Sequence, residues 1–137
     1  MKRASFGILL SGAFGCGDLA GTEGNLFSVT GVVTGLVLTD QGAPVAGAAV
    51  TTRAELLERP TGLLLDSTTR WTDAGGAYEV RVGALNMRDQ ELALALHVEP
   101  PVGRRLAAAD TAGLRIRIAR RDPGRTQVNI ILRSLPD

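Results

Sequence analysis

Side chains on which enzyme sites commonly depend are scarce in this sequence. Its 137 residues contain one Cys, one His, one Tyr and one Trp, and aromatic residues make up 4% of the chain. A catalytic zinc normally takes three protein ligands, often two of them His, so the inventory argues against a zinc peptidase. A Ser-His-Asp hydrolase would depend on His97, and no Ser lies in a nucleophile-elbow pattern. We therefore expect no enzymatic activity, no metal and no cofactor, with His97 as a surface or edge residue of a strand.

A strong excess of one charge is also missing, because the formal net charge is +1. Nucleic-acid-binding domains usually carry a marked basic excess, so no nucleic-acid partner is expected. The distribution is uneven: residues 16–100 contain five Arg and eleven acidic residues, whereas residues 101–137 contain eight Arg and three Asp. A basic face for an anionic lipid or an acidic partner would explain this difference, but solvated faces of amphipathic strands are the preferred explanation.

Long hydrophobic runs are absent too, and the longest uncharged stretch near the start has the length of a signal peptide. A positive start, Met1-Lys2-Arg3, precedes twelve uncharged residues, 4–15. A membrane-spanning helix needs about 20 apolar residues, so this stretch is too short to be one. The pattern predicts a signal peptide over residues 1–15 and an exported protein.

The only Cys stands at the end of that stretch. Ala13-Phe14-Gly15-Cys16 resembles the lipobox of bacterial lipoproteins, in which a lipidated Cys becomes the new N-terminus. The resemblance implies lipidation of Cys16 and a flexible tether over residues 16–25. The length of 137 residues and the hydrophobic content of 45% predict one domain, over residues 26–137. The expected location is the cell envelope, with the lipid bilayer as a partner through the N-terminal anchor. A free Cys in a periplasmic or secreted protein, and a buried thiol, are the alternatives.

From residue 26 onward, apolar and polar residues alternate with the period of β-strands, and Gly, Pro and Asp separate the alternating segments. The predicted strands cover residues 27–37, 49–53, 68–72, 78–82, 92–98, 114–118 and 128–132. The third and fourth are expected to form a hairpin around residues 73–76. Residues 54–66 and 103–113 fit less cleanly, as a loop, a helical turn or a hairpin extension. The sequence therefore predicts an all-β, single seven-stranded antiparallel β-sandwich.

Two separated blocks of residues carry a family resemblance. They are Gly35, Val37, Asp40, Gly42, Pro44, Gly47 and Val50, followed by Thr72, Asp73, Gly76 and Tyr78. Residues 30–98 resemble the carboxypeptidase regulatory-like domain, which is similar to transthyretin (prealbumin), a Greek-key β-sandwich. The resemblance implies a structural or binding module of the kind that accompanies peptidases, outer-membrane receptors and surface proteins. Residues 54–66 are an insertion relative to the family, and the departure at residues 83–85 leaves the strand register after Val82 open.

Few residues are candidates for a binding site. Trp71 and Tyr78 could stack on a sugar ring, although a role in the core or in strand pairing is the preferred interpretation. Asp40 and Asp73 each stand alone in a loop, which favours stabilisation of turns over calcium binding.

These observations lead to a functional expectation for the whole chain. The first hypothesis is a non-catalytic envelope lipoprotein, a structural or protein-interaction module with an envelope protein or a glycan as its partner. The alternative is a carbohydrate- or small-ligand-binding module that uses Trp71 and Tyr78. A transthyretin-like hydrolase is rejected, because the chain ends in residues 131–137 without the Tyr-Arg-Gly-Ser ending of those enzymes.

Overall fold

The computed structural model describes residues 28–57, 64–85, 89–119 and 123–137. Within these ranges the chain has eight strands and no helix: β1 Ser28–Thr39, β2 Ala49–Leu56, β3 Leu64–Trp71, β4 Ala77–Leu85, β5 Gln90–Glu99, β6 Ala109–Ile118, β7 Gly124–Gln127 and β8 Ile130–Leu132. One sheet has the order β4-β1-β7, with β8 also paired to β1, and the other has the order β3-β2-β5-β6. The prediction of an all-β sandwich is confirmed. The predicted signal peptide and tether, including Cys16, lie outside the described residues.

The last predicted strand is only partly confirmed. Of residues 128–132, β8 covers 130–132, and β7 precedes them as an eighth strand that the sequence did not predict. Both β7 and β8 run parallel to β1, whereas the other strand pairs are antiparallel. Between them the chain is bound to β1 by two hydrogen bonds: Val128 donates its N–H to the Thr34 carbonyl at 2.8 Å, and Leu36 donates its N–H to Asn129 Oδ1 at 3.0 Å. These side-chain and backbone contacts are not readable from apolar periodicity, which explains why β7 was not predicted.

Residues 73–76 connect the two sheets, so the prediction of a hairpin at this position is wrong. β3 pairs with β2, and β4 pairs with β1. Asp73 Oδ1 accepts the N–H groups of Gly75 and Ala77, each at 2.9 Å, which confirms its turn-stabilising role. The Asp40 carboxylate instead makes a contact distant in sequence: it accepts the N–H and the hydroxyl of Ser134, and these hydrogen bonds lower its pKa.

Residues 54–66 extend the β2–β3 hairpin. The β2–β3 pairing reaches Ala54 opposite Asp66, and a register shift follows at Ala54 and Glu55. Residues 58–63 lie outside the described residues. The register after Val82 is also defined, because β4 stays in antiparallel register with β1 up to Leu85, opposite Ser28.

The core lies between the two sheets and follows the period of two along each strand. In β5, for example, Leu92, Leu94, Leu96 and Val98 are at most 2% exposed, and the residues between them are partly exposed. Burial of each such side chain contributes roughly 1.5–3 kcal/mol. Side-chain hydrogen bonds join the sheets at both lateral edges: Gly83 N–H donates to Asp66 Oδ2, and the Thr126 hydroxyl donates to the Arg115 carbonyl, both at 3.3 Å.

Two buried threonines in the sandwich are predicted to respond in opposite ways to the same substitution. The Thr72 hydroxyl donates to the Val45 carbonyl at 2.6 Å and accepts the Ala48 N–H at 2.9 Å. Thr52 is 0% exposed, and its hydroxyl has no hydrogen-bond partner among the described residues. Thr72→Val should therefore lower the free energy of unfolding by about 1–3 kcal/mol, whereas Thr52→Val should leave it unchanged or raise it. Urea denaturation of both variants measures this difference, and an equal loss in the two would contradict it.

Candidate functional site

A trough lies at the corner where the chain passes from β3 in one sheet to β4 in the other. Its volume is about 590 Å³. This volume falls within the range of about 300–1,000 Å³ that is typical of ligand pockets. The lining residues come from three strands of one sheet, from the end of β3 and from the turn between them: Thr34, Gly35, Leu36, Arg70, Trp71, Asp73, Ala77, Tyr78, Glu79 and Gln127.

Strand register places a polar row at one end of the trough floor. Thr34 on β1 lies opposite Glu79 on β4 and opposite Gln127 on β7. Two residues further along β1, Leu36 lies opposite Ala77. Because side chains alternate along a strand and Val33 belongs to the core, Thr34 and Leu36 face away from the core. The floor therefore combines hydrogen-bonding groups with a small apolar area beside them.

Trp71 forms one wall of the trough. It lies opposite Ala49 in the β2–β3 pair, and 67% of its surface is exposed. Trp71 thus lies in a strand pair, which is one of the two roles in the preferred sequence-based interpretation, and it does not belong to the core. The neighbouring Thr72 is 6% exposed, and its backbone N–H donates to the Ala48 carbonyl at 2.9 Å. The backbone beside the exposed indole is therefore firmly held.

Tyr78 has the opposite environment. Its ring is 4% exposed, and its hydroxyl donates to the Val128 carbonyl at 2.6 Å. Burial raises the pKa of the phenol to about 12, so the hydroxyl stays protonated at neutral pH. Of the two residues predicted to bind a ligand, Trp71 offers an accessible ring and Tyr78 supports the trough from below. Thr34, Glu79, Gln127 and Arg70 were not predicted, because their proximity depends on strand register.

The single His lies on β5, in the sheet that contains β3, and it does not line the trough. His97 Nε2 contacts Glu99 Oε1 at 2.8 Å, and its Nδ1 contacts Asp110 Oδ1 at 2.6 Å. The hydrogen bond with Glu99, followed by that with Asp110, raises the pKa of the imidazole. Its side chain is 41% exposed, as expected for a surface residue, but β5 lies inside its sheet and not at an edge. Glu99 could have been found from its i+2 spacing, whereas Asp110 required the β5–β6 register.

The solved structures with a similar fold include several dioxygenases. Hydroxyquinol 1,2-dioxygenase from Pseudomonas putida DLL-E4 is 13% identical with a TM-score of 0.51, over 78% of this chain and 57% of that one. Chlorocatechol 1,2-dioxygenase from Pseudomonas putida is 12% identical with a TM-score of 0.52, over 77% and 61%. The dioxygenase domain of a dioxygenase carbohydrate-binding protein fusion from Streptomyces sp. SirexAA-E is 14% identical with a TM-score of 0.51, over 78% and 81%.

The sandwich is similar in fold to these dioxygenases. At 12–14% identity the likeness concerns the fold alone, and the chain spans about three fifths of the length of the first two enzymes. No family model and no curated protein matches the chain, so membership of the carboxypeptidase regulatory-like family is not established.

The expected function is corrected by this comparison. The sequence predicted a non-catalytic structural or interaction module, or alternatively a carbohydrate- or small-ligand-binding module, but the similar structures are those of dioxygenases. Apolar periodicity defines a sandwich without distinguishing the many proteins built on one, which is why the prediction failed. The prediction that the chain is not an enzyme stays a prediction.

Oxygenases commonly use a redox metal bound by several His and carboxylate ligands, and the described residues do not fit such a metal. Both ring nitrogens of His97 are already bonded to carboxylates, and the Tyr78 hydroxyl is bonded to a backbone carbonyl. Across the described ranges, no group of three or more His, Cys, Asp or Glu side chains is placed to hold a metal ion. We therefore assign no oxidation step to this chain. In the same ranges, no helix has the length and apolarity needed to cross a membrane.

Proposed function

We propose that the corner trough binds a planar phenolic ring, with Trp71 as the stacking surface. The observation that carries this proposal is the 67% exposure of Trp71 on a firmly held backbone beside a trough of about 590 Å³. Large aromatic side chains lose apolar contacts when they are left in water, and stacking with another ring contributes roughly 0.5–1.5 kcal/mol. The indole face is thus available to a flat ligand.

The trough floor supplies groups that suit a phenolic hydroxyl. The Thr34 hydroxyl, the Gln127 amide and the Glu79 carboxylate stand in one cross-strand row, and each offers an acceptor to an O–H donor. Leu36 and Ala77 provide apolar contact beside them. The names of the similar enzymes, which refer to catechol-type and hydroxyquinol compounds, are consistent with an aromatic ring that carries hydroxyl groups.

Titration of the protein with phenol, and with catechol in the absence of oxygen, tests the proposal. Trp fluorescence follows the binding. Trp71 is the only Trp in the chain, so any change in emission reports on the trough. We expect saturable quenching by both phenols and none by cyclohexanol, which has a similar size but no planar ring. Calorimetry should show that Trp71→Ala weakens phenol binding by about three- to tenfold, whereas Trp71→Phe retains most of it.

Val102→Ala is the matched control for this experiment. Val102 is fully exposed, like Trp71 it is apolar, and it does not line the trough. Its removal should leave phenol binding unchanged. Equal quenching by cyclohexanol, or equal affinity in Trp71→Ala and the unchanged protein, would refute the proposed ring site.

We further propose that the chain presents this domain at the cell envelope through a lipid on Cys16. Support comes from the charged start, the short uncharged stretch and the position of the only Cys at its end. Stable anchoring takes more than one acyl chain, as in bacterial lipoproteins. The carboxypeptidase regulatory-like resemblance would suit such a location, since domains of that family accompany surface proteins.

A further inference from the structure

The charged groups of the corner trough are not balanced. Of its two carboxylates, Asp73 accepts two backbone N–H groups of its own turn, and Glu79 accepts the Arg81 Nε–H at 3.4 Å. Arg70 has no such partner: NH1 donates only to the Thr69 carbonyl at 3.4 Å, and no described carboxylate is paired with it. The acids of the trough are thus engaged, while its one guanidinium is available.

Arg70 and Trp71 are consecutive, yet both line the trough. Successive side chains of a strand point to opposite faces, so two neighbours normally cannot contact one ligand. β3 is an edge strand of its sheet, and the trough extends around that edge towards β4. This position brings the indole and the guanidinium to one concavity.

A second source of positive charge lies beside the trough floor. On β1, Val32 is the outward-facing position before Thr34. Arg81 on β4 and Arg125 on β7 lie opposite Val32, one on each side of β1. Val32 is 6% exposed although it does not belong to the core cluster, as expected if the long Arg side chains cover it. Arg125 makes no ion pair with any residue in the described ranges. Because Arg81 is paired with Glu79, Arg125 is the uncompensated positive charge beside this end of the trough.

We infer that the ring in the corner trough carries a carboxylate, which Arg70 binds while Trp71 stacks on the ring. This inference rests on the proposed function and names its substrate class, an aryl carboxylate. The planar guanidinium matches a carboxylate through two parallel N–H···O hydrogen bonds, which a neutral amide of the same shape cannot reproduce. Arg125 adds long-range attraction and does not contact the carboxylate.

Three compounds that share a phenol ring distinguish the carboxylate inference from the proposed phenolic site on which it rests. Titration of the full chain with para-hydroxybenzoate, para-hydroxybenzamide and phenol, followed by Trp71 fluorescence, should give about tenfold tighter binding for the acid than for the amide. The affinity for the acid should fall as salt increases, while that for phenol should not. Arg70→Gln should lower the ratio of acid affinity to amide affinity from about ten to about one, and Arg70→Lys should restore part of it. Arg115→Gln, an exposed Arg on the opposite edge strand of the same sheet, is the control and should keep the full preference.

The possible results fall into distinct groups. If phenol binds and the acid binds no more tightly than the amide, the inference is wrong and the phenolic site stands. If none of the three compounds binds, the proposed function itself fails. If the acid is preferred but Arg70→Gln keeps that preference, the carboxylate is bound elsewhere and the assignment to Arg70 is overturned.

Discussion

Replacement of Gly35 by Ala is expected to lower the free energy of unfolding by about 3 kcal/mol or more. Gly35 faces the core side of β1, and a Cβ at this position would lie 1.8 Å from the Val128 carbonyl oxygen and 2.9 Å from the Tyr78 hydroxyl. The added methyl group must displace the chain between β7 and β8. That movement would break the hydrogen bonds that Val128 makes with Thr34 and with Tyr78.

Gly75→Ala is the matched control, because the same methyl group enters open surroundings. Its Cβ would lie 3.5 Å from Asp73 Oδ1, an ordinary contact distance. A surface change of this kind usually alters stability by less than about 0.5 kcal/mol. Urea denaturation followed by circular dichroism compares the two variants with the unchanged protein. Equal midpoints for Gly35→Ala and Gly75→Ala would show that the β7–β8 joint does not approach β1 this closely.

Cys16→Ala is expected to abolish lipid attachment completely. If Cys16 carries the lipid, its thiol is the only one in the chain, so no other Cys can take its place. Metabolic labelling with a palmitate analogue in a bacterial host should label the unchanged protein and leave Cys16→Ala unlabelled. Fractionation should place the unchanged protein in the membrane.

Ala13→Leu is the matched control for this experiment, because Leu is the residue commonest at that lipobox position. It should keep or increase the label. An unlabelled, soluble unchanged protein would contradict the lipoprotein proposal and favour simple secretion. Label that persists in Cys16→Ala would place the lipid on another group. Neither result bears on the corner trough, since phenol binding is measured independently.

Fold class was readable from the sequence, because burial between two sheets imposes a period of two that each strand displays by itself. Leu92, Leu94 and Leu96 alternate with less apolar residues, and the structure buries these three. The turn-stabilising role of Asp73 was also readable, because its carboxylate binds backbone groups only a few residues away. The division between β7 and β8 was not readable, since it depends on contacts with β1 more than 90 positions earlier in the chain.

The candidate site was likewise only partly predictable from the sequence. Trp71 and Tyr78 were found because they are the only Trp and the only Tyr in the chain, but the burial of their side chains could not be predicted. Trp71 is exposed because it ends an edge strand where the chain leaves one sheet. Tyr78 is buried because it lies near the start of a strand of the other sheet. Both facts follow from how the sheets face each other and not from the neighbouring sequence.

By itself, the sequence determined the alternating strands, the turns and the scarcity of His, Tyr and Cys, because these depend on composition and on contacts within a few residues. Only the tertiary structure decided that Thr34, Glu79 and Gln127 form one row, that Arg70 and Trp71 share one trough, and that His97 lies between two carboxylates. The physical reason is that strand register and the crossing between sheets join residues far apart in the chain, and no local pattern encodes that pairing.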